Sequence, residues 1–183
     1  MNDRKNEIGK TLLTGRQIAK KVKELGRAIS SDYRGLDPVF VGILKGSVIF
    51  LSDLLREIDI ECSVDFIALS SYMGETETSG VVKVVMDLRE SIRERHVVLI
   101  EDIVDTGLSM AYLRDNLLTR QPASFSICSL LSKTAARRVH VDLKYTGFEV
   151  PEEFLVGYGL DYRERYRNLP YIAALKPEVY KGE

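Results

Sequence analysis

The chain is short of cysteine, of histidine, of net charge and of long apolar runs, and each shortage closes a class of function. Its two cysteines, Cys62 and Cys128, fall in strand-like segments. Far too few for a disulfide scaffold, they read as core thiols in a reducing cytoplasm. The two histidines, His96 and His140, lie far apart in sequence, which leaves no Cys/His zinc spacing. A formal net charge of −1 gives no general attraction to nucleic acid or to an anionic membrane. Any anion must therefore be bound locally. No apolar run is long enough to span a bilayer. Residues 1–7 are charged and lack the apolar core of a secretory leader, so a cytoplasmic location is expected. Internal repeats, low-complexity tracts and linkers are absent, as are the G-x-G-x-x-G and G-x-x-x-x-G-K-[ST] phosphate loops. A length of 183 residues suits one substantial domain.

What is present is an alternation of helix and strand signals. Thr14 and Gln17 have capping-box spacing, followed by Ile18, Val22, Leu25 and Ile29 on one helical face. This predicts an amphipathic helix over 14–32. Val39 to Leu44 reads as a buried strand, and Val48, Leu51, Leu54, Leu55 and Ile58 as the apolar face of the next helix. Strands are predicted over 62–70, 81–86, 125–131, 139–145 and 155–158, and a helix runs from Met110 to about Arg120 with Met110, Leu113, Leu117 and Leu118 inward. The polar stretch 71–80, bounded by glycines at 74 and 80, reads as a mobile loop. Strands alternating with helices argue for an α/β domain with a mostly parallel sheet flanked by helices. The strand-rich last third suggests a small appended subdomain.

The densest chemical signal is 97–109, Val-Val-Leu-Ile-Glu-Asp-Ile-Val-Asp-Thr-Gly-Leu-Ser. A buried strand stops at Glu101 and Asp102; Asp105, Thr106, Gly107 and Ser109 follow, and helical spacing resumes at Met110. Ligands of open α/β sheets bind outside the carboxyl ends of strands, where such loops sit. Carboxylates there can accept from vicinal hydroxyls or hold a divalent cation. The Thr-Gly-Leu-Ser N–H groups at a helix start can cradle a phosphate. Left alone, three acids at the end of an apolar strand would repel one another.

This stretch resembles the phosphoribosyl-pyrophosphate (PRPP) signature of the type I phosphoribosyltransferases over about thirteen consecutive positions. Three more segments resemble the 6-oxopurine branch of that family: Leu44-Lys45-Gly46-Ser47, Leu131-Ser132-Lys133-Thr134, and 150–162 running on through Arg167 to Ile172. Together they cover nearly the whole chain from about Thr11 to Pro177. The resemblance implies the type I phosphoribosyltransferase fold in a single domain over 1–183, with a flexible loop over about 71–80 and a purine-recognising hood mainly over 145–175. It implies that Asp105 is the catalytic general acid/base at purine N7. PRPP would be held by Glu101, Asp102, Asp105, Thr106, Gly107, Leu108 and Ser109. Pyrophosphate would fall to Leu44, Lys45 and Gly46, with a cis Leu44–Lys45 peptide, and to Ser71, Tyr72 and Arg167. The base would meet Lys133 at O6, the ring of Phe154, the backbone of Leu155, and Asp161. Mg²⁺ is the implied cofactor, with Glu101, Asp102 and Asp161 as its candidate ligands.

Taken singly, several of these residues have plainer readings: Lys133 as a solvated strand-end lysine, Phe154 as a core aromatic, Arg167 as a surface ion pair with Glu164. Leu108 and Ser109 differ from the lysine and threonine of better-known members, and Leu155 is bulkier than the usual valine, a change that would favour hypoxanthine over guanine. The implied reaction joins N9 of hypoxanthine or guanine to C1′ of PRPP, giving IMP or GMP and pyrophosphate, in a homodimer or homotetramer without nucleic-acid or membrane partners. The competing readings are a xanthine-preferring transferase and a PRPP-binding regulatory protein that binds nucleic acid.

Overall fold

In a computed structural model, residues 4–71 and 82–180 are described. Along the chain they form α1 (Arg4–Glu7), β1 (Ile8–Leu13), α2 (Gly15–Asp32), β2 (Val39–Leu44), α3 (Val48–Arg56), β3 (Ser63–Ser71) and β4 (Val82–Met86). There follow β5 (His96–Val104), α4 (Leu108–Leu118), β6 (Ser124–Ser132), β7 (Tyr145–Glu149), β8 (Leu155–Val156), β9 (Ile172–Leu175) and α5 (Pro177–Tyr180).

The capping signal at the start of α2 is realised in both directions. The Thr14 hydroxyl accepts from the Gln17 backbone N–H at 3.3 Å, and the Gln17 side-chain oxygen accepts from the Thr14 N–H at 2.9 Å. Two orphan donors of the first turn are thereby satisfied. The face carrying Ile18, Val22, Leu25 and Ile29 is buried.

Six strands form the main sheet in the order β4-β3-β2-β5-β6-β7. All neighbours are parallel except β3 and β4. Side chains alternate across it with the period of two that strands impose. Phe40, Val98 and Ile100 join a core shared with α2 and α3 on one face, while Val39, Val41, Val97 and Leu99 join a second core with Met110, Leu113 and Leu117 of α4 on the other. Coverage of both faces explains why β2 and β5 are apolar throughout. A second sheet, β1-β9-β8, takes its strands from both ends of the chain.

Four sequence expectations need correction. In α3 the inward residues are Phe50, Leu51 and Leu54, whereas Val48 at the helix start is 42% exposed. Leu118 is 46% exposed, because Leu117 beside it already takes the inward direction and consecutive helix residues point about 100° apart. The segment 139–144 is no strand, although Val139, Val141 and Leu143 alternate. These side chains instead pack onto the α4 side of the core, and the Arg138 N–H donates to the Thr106 carbonyl at 2.9 Å. The sheet edge that the segment would need is taken by β7, which starts at Tyr145 where the predicted strand ends. The strand predicted over 155–158 stops at Val156, since Gly157 and Tyr158 have φ of 101° and 50° and turn the chain.

Candidate active site

The strand order turns at β2. The next strand, β3, lies on one side of it and β5 on the other, so the carboxyl ends of β2, β5 and β6 lie side by side at a switch point. From these ends come Lys45 and Gly46, then Asp102, Ile103 and Asp105, then Lys133. The start of β8 and the loop after it supply Phe154, Leu155, Leu160, Asp161 and Arg167. These residues line one cleft of ≈ 360 Å³.

At one end, the Lys133 ammonium donates to the Asp105 carboxylate at 3.1 Å. Lys133 is largely enclosed, with its side chain 12% exposed, while that of Asp105 is 49% exposed. The lysine is therefore no solvated strand-end cation. At the other end Arg167 pairs with Asp161 at 2.8 Å, and a second Arg167 nitrogen donates to the Gly159 carbonyl at 2.9 Å. The ion pair with Glu164 also forms, at 3.3 Å, so Arg167 lines the cleft and makes that contact too. Phe154 lies against Tyr162 edge-on and against Tyr180 at a tilt, and keeps 36% of its surface exposed. Leu155 is buried, its backbone paired with Ala174 in the small sheet. The Leu44–Lys45 peptide is cis.

Gly46 is needed for space. A Cβ there would sit 1.8 Å from Asp102 Oδ2, and one on Gly159 would sit 2.1 Å from the Gly46 carbonyl oxygen. The backbone at 46 is thus pressed between the Asp102 carboxylate and the turn at 159. Burial pushes the Asp102 carboxyl up to about 6, even though it accepts the Ile103 N–H at 2.9 Å. Burial and the neighbouring Asp102 push Glu101 well above the usual carboxylate range, and its Oε2 is buried without a hydrogen-bond partner.

Glu101, Leu44 and the Thr106–Ser109 turn are not among the residues lining this cleft. The turn runs from Asp105 into α4, with Gly107 left-handed at φ 84° and the Thr106 hydroxyl accepting the Leu108 N–H at 3.4 Å. Ser71 ends β3, while Tyr72 and 72–80 lie outside the described residues. Ile103 and Leu160, absent from the sequence-derived set, form apolar wall; nothing but their neighbours in the sequence could have pointed to them.

Among the described residues no three acidic, histidine or cysteine side chains converge to cage a metal. Asp102 and Asp161 nonetheless line the same cleft and repel one another. Two carboxylates suit Mg²⁺, which commonly takes one or two from the protein and the rest from water and substrate phosphates. Also among the described residues, no helix is long and apolar enough to cross a membrane.

Comparison with known proteins agrees with this geometry. Residues 9–163 match the phosphoribosyl transferase domain family. The chain is 48% identical to the hypoxanthine-guanine phosphoribosyltransferase of Staphylococcus aureus strain Mu50 over 97% of this chain and 99% of that protein. It is 47% identical to the enzyme of that name from Streptococcus pneumoniae strain R6, over 97% and 98%. A bifunctional TilS/HprT protein of Listeria monocytogenes is 47% identical over 96% of this chain, which spans only 27% of that longer relative. A crystal structure of a hypoxanthine phosphoribosyltransferase from Staphylococcus aureus aligns with a TM-score of 0.92 at 48% identity, covering 98% of both chains.

Proposed function

The chain belongs to the phosphoribosyl transferase family, and from the cleft it builds we propose that it transfers the 5-phosphoribosyl group of PRPP to N9 of hypoxanthine and guanine, giving IMP or GMP and pyrophosphate. The observation that carries this reading is the pair that the largely enclosed Lys133 makes with Asp105 in the cleft. A 6-oxopurine presents O6 and N7 side by side on one edge; O6 accepts, and N7 carries the proton in the tautomer whose N9 has a free lone pair. An ammonium only donates, so Lys133 suits O6 and leaves the 6-amino group of adenine unpaired. Sites built to hydrogen-bond one group reject an analogue lacking it strongly. Asp105, 3.1 Å from that ammonium, takes the proton from N7 as the N9–C1′ bond forms and the bond from C1′ to pyrophosphate breaks.

Phe154 offers its ring to the base, and the Leu155 backbone meets the position-2 edge. Glu101 and Asp102 are the acceptors for the ribose hydroxyls. Thr106, Gly107, Leu108 and Ser109 hold the 5′-phosphate at the start of α4, where N–H groups and the helix dipole favour an anion. Binding energy from that remote phosphate is used at C1′. Leu44, Lys45, Gly46 and Arg167, together with Ser71 and Tyr72, take the pyrophosphate. Asp102 and Asp161, with Glu101 as the third candidate, would hold Mg²⁺, which would neutralise charge on the leaving pyrophosphate. The transferase works as a homodimer or homotetramer in the cytoplasm.

Nucleotide formation from PRPP and Mg²⁺ with hypoxanthine, guanine, xanthine and adenine in parallel tests the proposal. IMP and GMP without AMP is the expected result. Preferential XMP would move the assignment to a xanthine enzyme, and no product with any base would overturn it.

A further inference from the structure

Glu164 touches both cations that the pyrophosphate needs. Its Oε2 lies 3.1 Å from Lys45 Nζ and its Oε1 3.3 Å from Arg167 Nη2. One carboxylate thus spans two residues that come from distant parts of the chain. The surrounding loop is shaped to hold it there. Arg163, Glu164 and Tyr166 all have left-handed backbones, with φ of 51°, 62° and 75°. Non-glycine residues pay for that conformation, which gathers at ligand clamps and switch segments. The Glu164 backbone N–H is fixed separately, donating to Asp161 Oδ2 at 2.9 Å. The turn therefore does not depend on the Glu164 side chain.

The geometry assigns to Glu164 the part of an internal competitor for pyrophosphate: its carboxylate occupies Lys45 and Arg167 in the free protein, yields them to the diphosphate arm of PRPP, and returns as the product leaves. The inference rests on the proposed reading of Lys45 and Arg167 as pyrophosphate ligands. The carboxylate side of both contacts is exposed, the Lys45 and Glu164 side chains being 67% and 64% open to solvent and that of Arg167 24%. Such pairs are weak, so the carboxylate competes without locking the site. A polyanion carrying more charge displaces it, and its return helps the product to depart. At two such pairs, the competition amounts to about a 2- to 30-fold effect on pyrophosphate affinity. The effect should shrink at high salt, which screens exposed charges.

The experiment is a calorimetric titration of pyrophosphate, with Mg²⁺ present, into the full-length protein and into its Glu164→Gln, Lys45→Ala and Arg167→Ala variants. KM for PRPP and kcat are measured alongside. Glu164→Gln keeps the shape and removes the charge. It is expected to tighten pyrophosphate about 2- to 30-fold, to lower KM for PRPP, and to leave kcat unchanged or reduced by slower product release. A Kd unchanged or raised in Glu164→Gln overturns the inference and leaves the ligand reading standing, provided the two cation variants weaken binding. If neither Lys45→Ala nor Arg167→Ala weakens pyrophosphate, the reading and the inference fall together. A merely structural Glu164 would lower kcat without tightening pyrophosphate.

Discussion

Asp102 is held in a state that costs the free protein stability. Burial lifts its carboxyl from 3.8 to about 6. In the unfolded chain the group ionises first as pH rises, so folding stability falls between about pH 4 and 6 and the cost is complete above that. A rise of this size is worth about 2–3 kcal/mol. Asp102→Asn keeps the acceptor for the Ile103 N–H and loses the charge. The variant should therefore match the native protein in Tm at pH 4 and exceed it by about 5–10 °C at pH 7, while transferase activity drops. Equal Tm values across that range would contradict the account. The residues of this site were legible where their order in the chain was the signal. Asp102, Asp105, Lys133, Phe154, Asp161 and Arg167 all come to one cleft, and each is a residue whose neighbours follow a recognisable pattern. Ile103 and Leu160 were not legible, because an apolar wall residue looks the same in a core and in a pocket. The reach of Glu164 to Lys45 was hidden too, since sequence shows neighbours and not contacts made across 119 positions.

At the scale of elements, local rules worked where a single signal decided. The capping box fixed the start of α2 and the apolar run fixed β2, whereas β5 does not stop at Glu101 and Asp102 but runs through them to Val104, because its pairing with β6 continues to Ser132. They failed where tertiary partners decided. Alternation at Val139, Val141 and Leu143 met no free sheet edge, and those side chains pack beside the Gly107 turn, whose missing Cβ would lie 2.9 Å from Val141. The turn after β2 is the most constrained in the site, with Asp102 on one side of Gly46 and Gly159 at its carbonyl. Gly46→Ala must push the Asp102 carboxylate aside. Misplacement by about 1 Å can cost about 10²-fold in rate, so kcat/KM for PRPP is expected to fall by about that factor with the fold retained by circular dichroism. Activity close to native would show that the Asp102 carboxylate has no fixed place in the reaction.

Across the whole molecule, the order of strands does what no segment does alone. It sets the ends of β2, β5 and β6 together and brings the loop after β8 over them. The α/β class was legible from alternating periodicities, but the small sheet was only half visible, because its β1 comes from the opposite end of the chain from β8 and β9. The two chemical ends of the cleft follow from this arrangement: a lysine paired with a carboxylate at one, an arginine with carboxylates at the other. The central claim is that this cleft transfers a phosphoribosyl group to a 6-oxopurine with Asp105 serving N7. Its most direct test is the initial rate of IMP formation from PRPP, Mg²⁺ and hypoxanthine by the native protein and by Asp105→Ala. The account predicts a turning-over native enzyme and a variant slower by about 10²–10⁴-fold, whereas an inactive native protein, or a variant as fast as the native one, would contradict it.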